Sequence, residues 1–339
     1  VGQVSVSERG ARYAARMAGD GVAQNVRVTI IILAWMVISI SLIMYNKWLL
    51  SFAHFGFPFA LTSMHQLFAA MMAHAVCGAG LQTPPKLTFD QVISLIIPIS
   101  VCSALSLALS NQAMVYISVP FMQMLKAAIP TFSYVIGISV GLEMFAWRLL
   151  GVVIWIGAGV AIASFGEIDF VLHGFIIALV GLVVEAARLV LSQRLLQGQD
   201  IKFNAITGIY YQAPISFIAL FVPFMAFEFH DASVVMGQIP GHLVANACIA
   251  ALLNVASYMV LKETSAVTYG ICGQVKDWLN ILIAIPVFGT SLSPIQPIGY
   301  GLAVLGVFYY KRLRTVIAKE VADAERARTD DDEAPLVRR

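Results

Sequence analysis

Residues 28–50 read VTIIILAWMVISISLIMYNKWLL, with Lys47 near the far end the sole charge. A spanning helix needs about 20 predominantly apolar residues, and this run supplies them. Nine further windows of the same kind follow, at 57–78, 91–116, 119–140, 148–165, 172–195, 204–227, 242–262, 265–288 and 295–312. The breaks between them carry turn chemistry or charge, as in Thr83-Pro84-Pro85-Lys86, Gly166-Glu167-Ile168-Asp169, Gln197-Gly198-Gln199-Asp200 and Ser291-Leu292-Ser293-Pro294. Composition agrees. Apolar residues make up 59% of the 339 residues and charged residues 12%, against about 45–50% and about 25% in soluble domains. A bilayer accepts that apolar surface and water does not. The fold class is therefore all-α integral membrane, and the lipid bilayer is the first partner. A net charge of +2 gives no reason to expect nucleic acid.

The distribution of Lys and Arg tests the count of ten helices. Arg9, Arg12, Arg16 and Arg27 place the N-terminus in the cytosol. The cytosolic connections then follow helices 2, 4, 6 and 8 and include the C-terminus. They hold Lys86, Arg148, Arg194, Lys202, Lys262, Lys311, Arg312 and Arg314. The opposite connections, near 51–56, 166–171, 228–241 and 289–294, hold no Lys or Arg, and two carry Glu167, Asp169, Glu228 and Asp231. Lys47 is the exception. Both termini are predicted cytosolic. The expected organisation is an N-terminal segment 1–27, a first five-helix repeat 28–165, a second 172–312, and a disordered tail 313–339 ending in Asp330-Asp331-Asp332-Glu333 and beyond. Residue 1 is valine, so the natural N-terminus is expected to be missing and an upstream targeting segment stays open.

Enzyme chemistry finds no support. Cys77, Cys102, Cys248 and Cys272 lie in apolar runs and read as buried small residues, not disulfides or metal ligands. The six histidines show no metal-ligand spacing, and no nucleotide or nucleophile motif sits in a strand–helix context. No catalytic residue, cofactor or metal is expected.

At an offset of 150 residues Lys126 meets Lys276 and Gly151 meets Gly301. The lysines fall in helices 4 and 9, equivalent positions in two five-helix halves. Five is odd, so the second half enters from the other side. Inverted repeats of this kind are typical of secondary transporters, with sites near the midplane. Lys126 lies roughly 12 Å into its helix at about 1.5 Å per residue, and Lys276 lies deeper. Each costs about 2.5–3.5 kcal/mol on insertion scales. Two cations around a central cavity imply an anionic solute, with phosphate fitting an ammonium well. The competing reading is a structural pair with a carboxylate, strongest for Lys276, where Asp277 follows and Glu185 is available.

Glu185 and Arg188, at i and i+3, read as an intrahelical ion pair, or Arg188 as a gate or third anion contact. Asn111, Gln112, Gln123, Gln212, Asn254 and Gln274 are intramembrane amides that either meet solute or bridge helices. Gln123 lies one turn before Lys126. Tyr210-Tyr211-Gln212 either stacks on a base or sugar or packs helices. His65 reads as a satisfied core histidine before a proton relay. Gly151, Gly157, Gly159, Gly299, Gly301 and Gly306 suit close helix contact, between repeats or in a homodimer.

Four segments carry a resemblance: Tyr45-Asn46-Lys47-Trp48; residues 118–130 from Ser118 through Lys126 to Pro130; residues 187–194 from Ala187 to Arg194; and residues 268–278 from Thr268 through Lys276-Asp277 to Trp278. Together they resemble the triose-phosphate and nucleotide-sugar transporter family of the drug/metabolite transporter superfamily, over about 28–312. The resemblance implies ten helices in two inverted halves, strict exchange and alternating access. Plastid sugar-phosphate carriers of the family place a lysine in helix 4 and a Lys-Arg pair in helix 9 around the phosphate. Lys126 and Lys276 match the lysines, and Asp277 stands where the arginine is. The Lys-Asp pair resembles a subgroup of its own. GDP-mannose carriers show FYNN and GALNK, where this chain has Tyr210-Tyr211-Gln212-Ala213 and Gly273-Gln274-Val275-Lys276-Asp277.

The sequence thus predicts an antiporter of phosphorylated solutes, first a nucleotide sugar against a nucleoside monophosphate in Golgi or endoplasmic reticulum. Its expected solute contacts are Lys126, Lys276, Asp277, Tyr210, Tyr211, Gln123, Asn111 and Arg188. Two uncompensated cations would keep the empty site from reorienting. The alternatives are a sugar-phosphate/phosphate exchanger of the plastid envelope and a non-transporting scaffold or receptor. A channel is disfavoured because no filter motif appears.

Overall fold

The computed structural model describes residues 6–198, 205–264 and 266–333, with side chains described except at 6–24, 194–198, 205, 262, 266–268, 270, 271, 318 and 321–333. The connection 199–204 with Lys202, and residues 334–339, lie outside the described residues, as do the side chains of Arg9, Arg12, Arg16, Arg194 and Lys262. In chain order the helices are α1 (Val6–Ser51), α2 (Pro58–Gly78), α3 (Phe89–Gln91), α4 (Ile97–Tyr116), α5 (Val119–Leu125), α6 (Ile129–Ser139) and α7 (Trp147–Phe165). There follow α8 (Leu172–Gly198), α9 (Ala205–Pro223), α10 (Phe229–Met236), α11 (Pro240–Glu263), α12 (Ala266–Phe288) and α13 (Ile295–Glu333). Among the described residues seven stretches are long and apolar enough to cross a membrane: Asn25–Ser51, Phe89–Tyr116, Val119–Ser139, Trp147–Phe165, Leu172–Gln193, Ile206–Met236 and Pro240–Leu261. The windows predicted at 57–78, 265–288 and 295–312 are helical as α2, α12 and α13 but are not among the seven. His65, Gln66 and His74 dilute α2, and the apolar stretch of α13 soon meets Lys311 and Arg312.

Three expectations are corrected. The window 119–140 is not one helix: a 3-10 turn at Lys126–Ala128 separates α5 from α6. Pro130 is the cause. It has no N–H for the carbonyl of Lys126 four residues back, and its ring crowds that carbonyl. The N–H of Ile129 bonds the Lys126 carbonyl instead. Residues 313–333, expected as a disordered tail, continue α13 as helix; alternating Lys, Glu, Ala and Arg are good helix formers. The connection expected at 228–241 is helical to Met236, through a π-turn at Phe224–Glu228 and then α10.

The chain folds as two compact units that interleave in sequence. The first comprises Val1–Val92 with Ile201–Ile283, the second Ile93–Asp200 with Ala284–Arg339. In the first unit α2 packs on α9 and α11, and α1 on α11. Trp35, Met36, Ala256 and Val260 form a core there, backed by Tyr269, Cys272 and Leu279. The indole N–H of Trp35 donates to Ser257 Oγ at 2.9 Å. The Tyr45-Asn46-Lys47-Trp48 motif ties α1 to α11: Tyr45 Oη lies 2.8 Å from His242 Nδ1, and Asn246 Nδ2 donates to Asn46 Oδ1 at 2.9 Å. His65 Nε2 bonds Asn246 Oδ1, which makes it a satisfied core histidine. At the start of α2 the carboxylate of Glu228 accepts from the backbone N–H groups of Phe59 and Ala60, at 3.1 and 2.8 Å. Helix N-termini leave such donors without intrahelical partners, and a carboxylate there also suits the helix dipole. Glu228→Ala is expected to cost about 1–3 kcal/mol, the price of two enclosed donors left bare. Glu228→Gln, which keeps an acceptor, should cost less, as read by thermal unfolding in detergent.

In the second unit α7 packs on α13 and α4 on α8. Tyr134, Leu149, Val152, Val153, Ile156, Val307 and Tyr310 form its core. Without water to drive helices together, small residues that let backbones touch hold spans in lipid. Gly159 and Gly299 serve here. A Cβ on Gly159 would stand 2.6 Å from the backbone nitrogen of Ala303, and one on Gly299 would stand 2.7 Å from the Gly159 carbonyl oxygen. Gly151, Gly157 and Gly301 meet nothing within 4 Å. All four cysteines are free, and Cys248, expected to be buried, is exposed on α11.

Candidate solute-binding site

In the second unit the break at Lys126 places an ammonium group inside a span. Its Nζ donates to Gln123 Oε1 at 3.2 Å, one turn back. Gln123 and Asn111 are both buried. Lys126 also lies close enough to Glu185 on α8 to act on its charge. Glu185 is already engaged. Arg188 grips it with Nε to Oε2 at 2.8 Å and NH2 to Oε1 at 2.6 Å, and Ser106 Oγ on α4 donates to Oε2 at 2.9 Å. Lys126, Arg188 and Glu185 thus bring two cations and one carboxylate into one neighbourhood. Ser106 gave no signal in the sequence, because a serine in an apolar run is common.

In the first unit Lys276 Nζ lies 2.9 Å from Asp277 Oδ1 on α12, with both side chains largely buried. Residues at i and i+1 do not normally face each other on a helix, so the pair leans toward a common flank. The pair is neutral. Glu185 spends its bonds on Arg188 and Ser106, and Lys276 takes Asp277. Tyr210 stacks on His74 of α2 with ring centroids 4.1 Å apart. Tyr211 donates to the carbonyl oxygen of Pro85 at 2.5 Å. These contacts tie α9 to α2 and to the loop after it.

At the end of the second unit opposite Arg314, Glu167 accepts from Ser118 Oγ at 3.2 Å and is bonded by Gln296 Nε2. Burial pushes the Glu167 carboxyl above its usual range, against those two hydrogen bonds. At the Arg314 end, Arg314 pairs with Glu143. A cavity of about 680 Å³ within the second unit is lined by Ala128, Thr131, Phe132, Gly157, Val160 and Phe175, among others. It holds no charged side chain and does not suit an anion.

Helices apolar enough to cross a bilayer, with charged and amide side chains set inside them, define a polytopic membrane protein of the carrier class. A family model described as the Triose-phosphate Transporter family matches residues 26–311. Two probable sugar phosphate/phosphate translocators of Arabidopsis thaliana are 37% and 35% identical to this chain, covering 89% and 93% of it and 88% and 92% of their own lengths. UDP-galactose transporter 1 of the same plant is 26% identical over 87% of this chain and 89% of its own. The chain belongs to the triose-phosphate transporter family, and it is a transporter, not an enzyme.

Proposed function

We propose that the chain is a secondary antiporter that exchanges phosphorylated sugars by alternating access. The carrying observation is the Lys126 cluster: an ammonium at a helix break inside a span, beside a Glu185–Arg188 pair. A phosphate pairs well with such an ammonium. Lys126 and Lys276 are the proposed phosphate contacts, with Gln123, Asn111 and Arg188 beside the first and Asp277 beside the second. Tyr210 and Tyr211 are the proposed sugar- or base-facing aromatics of the first unit.

The architecture proposed with this is ten spans in two inverted halves, both termini cytosolic. The spans are α1, α2, α3–α4, α5–α6, α7, α8, α9–α10, α11, α12 and α13. Helix pairing supports it. Shifting each span by five exchanges the α1–α11 pairing with the α4–α8 pairing and returns α2–α9 and α7–α13 to themselves.

A sugar phosphate is the first substrate class, supported by the names of the relatives at 35–37% identity. A nucleotide sugar exchanged for a nucleoside monophosphate, in Golgi or endoplasmic reticulum, is the second. The neutral Lys276–Asp277 pair favours it, since one cation fewer suits a larger, partly neutral solute better than bare phosphate. The test is counterflow uptake into proteoliposomes against inorganic phosphate, triose, pentose and hexose phosphates, UDP-sugars, GDP-sugars and nucleoside monophosphates. Uptake restricted to phosphorylated solutes is the expected result. Folded protein that exchanges none of them overturns the reading.

A further inference from the structure

Asn280 is completely buried on α12. Neither its amide nitrogen nor its amide oxygen has a hydrogen-bond partner among the described residues. Asn46, Gln123, Asn246 and Gln296 are buried amides too, and each has one. An enclosed amide with both ends bare is an exception that calls for a cause.

Its position supplies one. Asn280 follows Lys276 by four residues and Asp277 by three, so all three share a face of α12, about one turn apart. The opposite face is marked by Val275, Trp278 and Leu282, exposed by 48%, 47% and 61%. Gly273 lies on the inner stripe as well, and a Cβ built there would meet nothing within 4 Å. Open space, an ion pair and a bare amide thus follow one another along one stripe. A turn of helix, roughly 6 Å for four residues, is close to the span from a sugar phosphate's phosphorus to its ring hydroxyls.

We propose that Asn280 is a specificity-determining residue whose amide bonds a hydroxyl group on the sugar portion of the solute, while Lys276 holds the phosphate. This rests on the reading of the chain as an exchanger of phosphorylated sugars. An amide offers both donors and an acceptor, which matches a hydroxyl and gives nothing to a position lacking one.

The experiment takes the sugar substrate with the highest wild-type counterflow in the panel above, together with its singly deoxygenated analogues. It measures KM for each with wild type, Asn280→Leu and Asn280→Ser. Wild type is expected to discriminate by about tenfold against one deoxy position, the size of one neutral hydrogen bond. Asn280→Leu, nearly the same size, should reduce that to less than about threefold, leave the other positions unchanged, and raise the Tm of solute-free protein by removing the bare amide. Asn280→Ser, which keeps a hydroxyl, should retain part of the discrimination and serves alone if the leucine variant does not fold. Discrimination unchanged in both variants, or KM raised equally for every analogue, overturns the inference and leaves the exchanger reading standing. A wild type that exchanges no phosphorylated solute overturns both.

Discussion

Lys126→Ala is expected to lower counterflow exchange about 100-fold, since a charge-assisted contact is worth about 1.5–3 kcal/mol and about 1.4 kcal/mol is a factor of ten. The reason lies in the arithmetic of its cluster. Glu185 and Arg188 cancel each other through two hydrogen bonds. Lys126 is the proposed contact for an anion inside a span. Without it the cluster loses that contact, while the protein keeps its fold, because Arg188 and Ser106 still satisfy Glu185. Lys126→Arg keeps the charge but replaces a compact ammonium with a planar fork, so partial activity is expected. Lys276→Ala should be as damaging for a different reason: it leaves Asp277 as a bare carboxylate that repels the solute. Lys276→Ala with Asp277→Ala is therefore expected to transport better than Lys276→Ala alone. Initial counterflow rates, normalised to folded protein, check all four.

Gly299→Val is expected to produce the largest loss of stability. Even the alanine variant places its Cβ against the backbone nitrogen of Ala163 and 2.7 Å from the Gly159 carbonyl oxygen. Backbone atoms on a packed helix cannot rotate aside as a side chain can, so α7 and α13 must separate. Overpacking costs about 1–3 kcal/mol, and the larger valine should reach or exceed the top of that range. Gly301→Ala, on the same helix, meets nothing within 4 Å. It should be neutral or stabilising by up to about 1 kcal/mol, the helix preference of alanine over glycine. The separation between the two in Tm and in monodisperse yield is the measurement. Equal behaviour would mean that α7 and α13 do not meet at these glycines.

Apolar runs bounded by turn residues made the helices legible in the sequence, because in lipid the backbone leaves few alternatives. Lys126 was equally legible, since a charge in such a run stands out. The break beneath it was not, although Pro130 four residues on was its signal. The interleaving of the two units was hidden as well, because it depends on which spans pair. The partners of Glu185 and Glu228 were out of reach for a simpler reason. Ser106 is an ordinary residue, and Phe59 and Ala60 act through their backbones. Nothing in the sequence separates Asn280 from the other intramembrane amides; its burial without a partner among the described residues does.

The central claim is that the chain moves phosphorylated solutes by strict exchange, with Lys126 as an anion contact inside a span. The most direct test is efflux from proteoliposomes loaded with a labelled phosphorylated sugar, with and without a phosphorylated solute outside. The account predicts near-zero efflux into plain buffer and rapid efflux once the external solute is added. Efflux at the same rate in both conditions would contradict it.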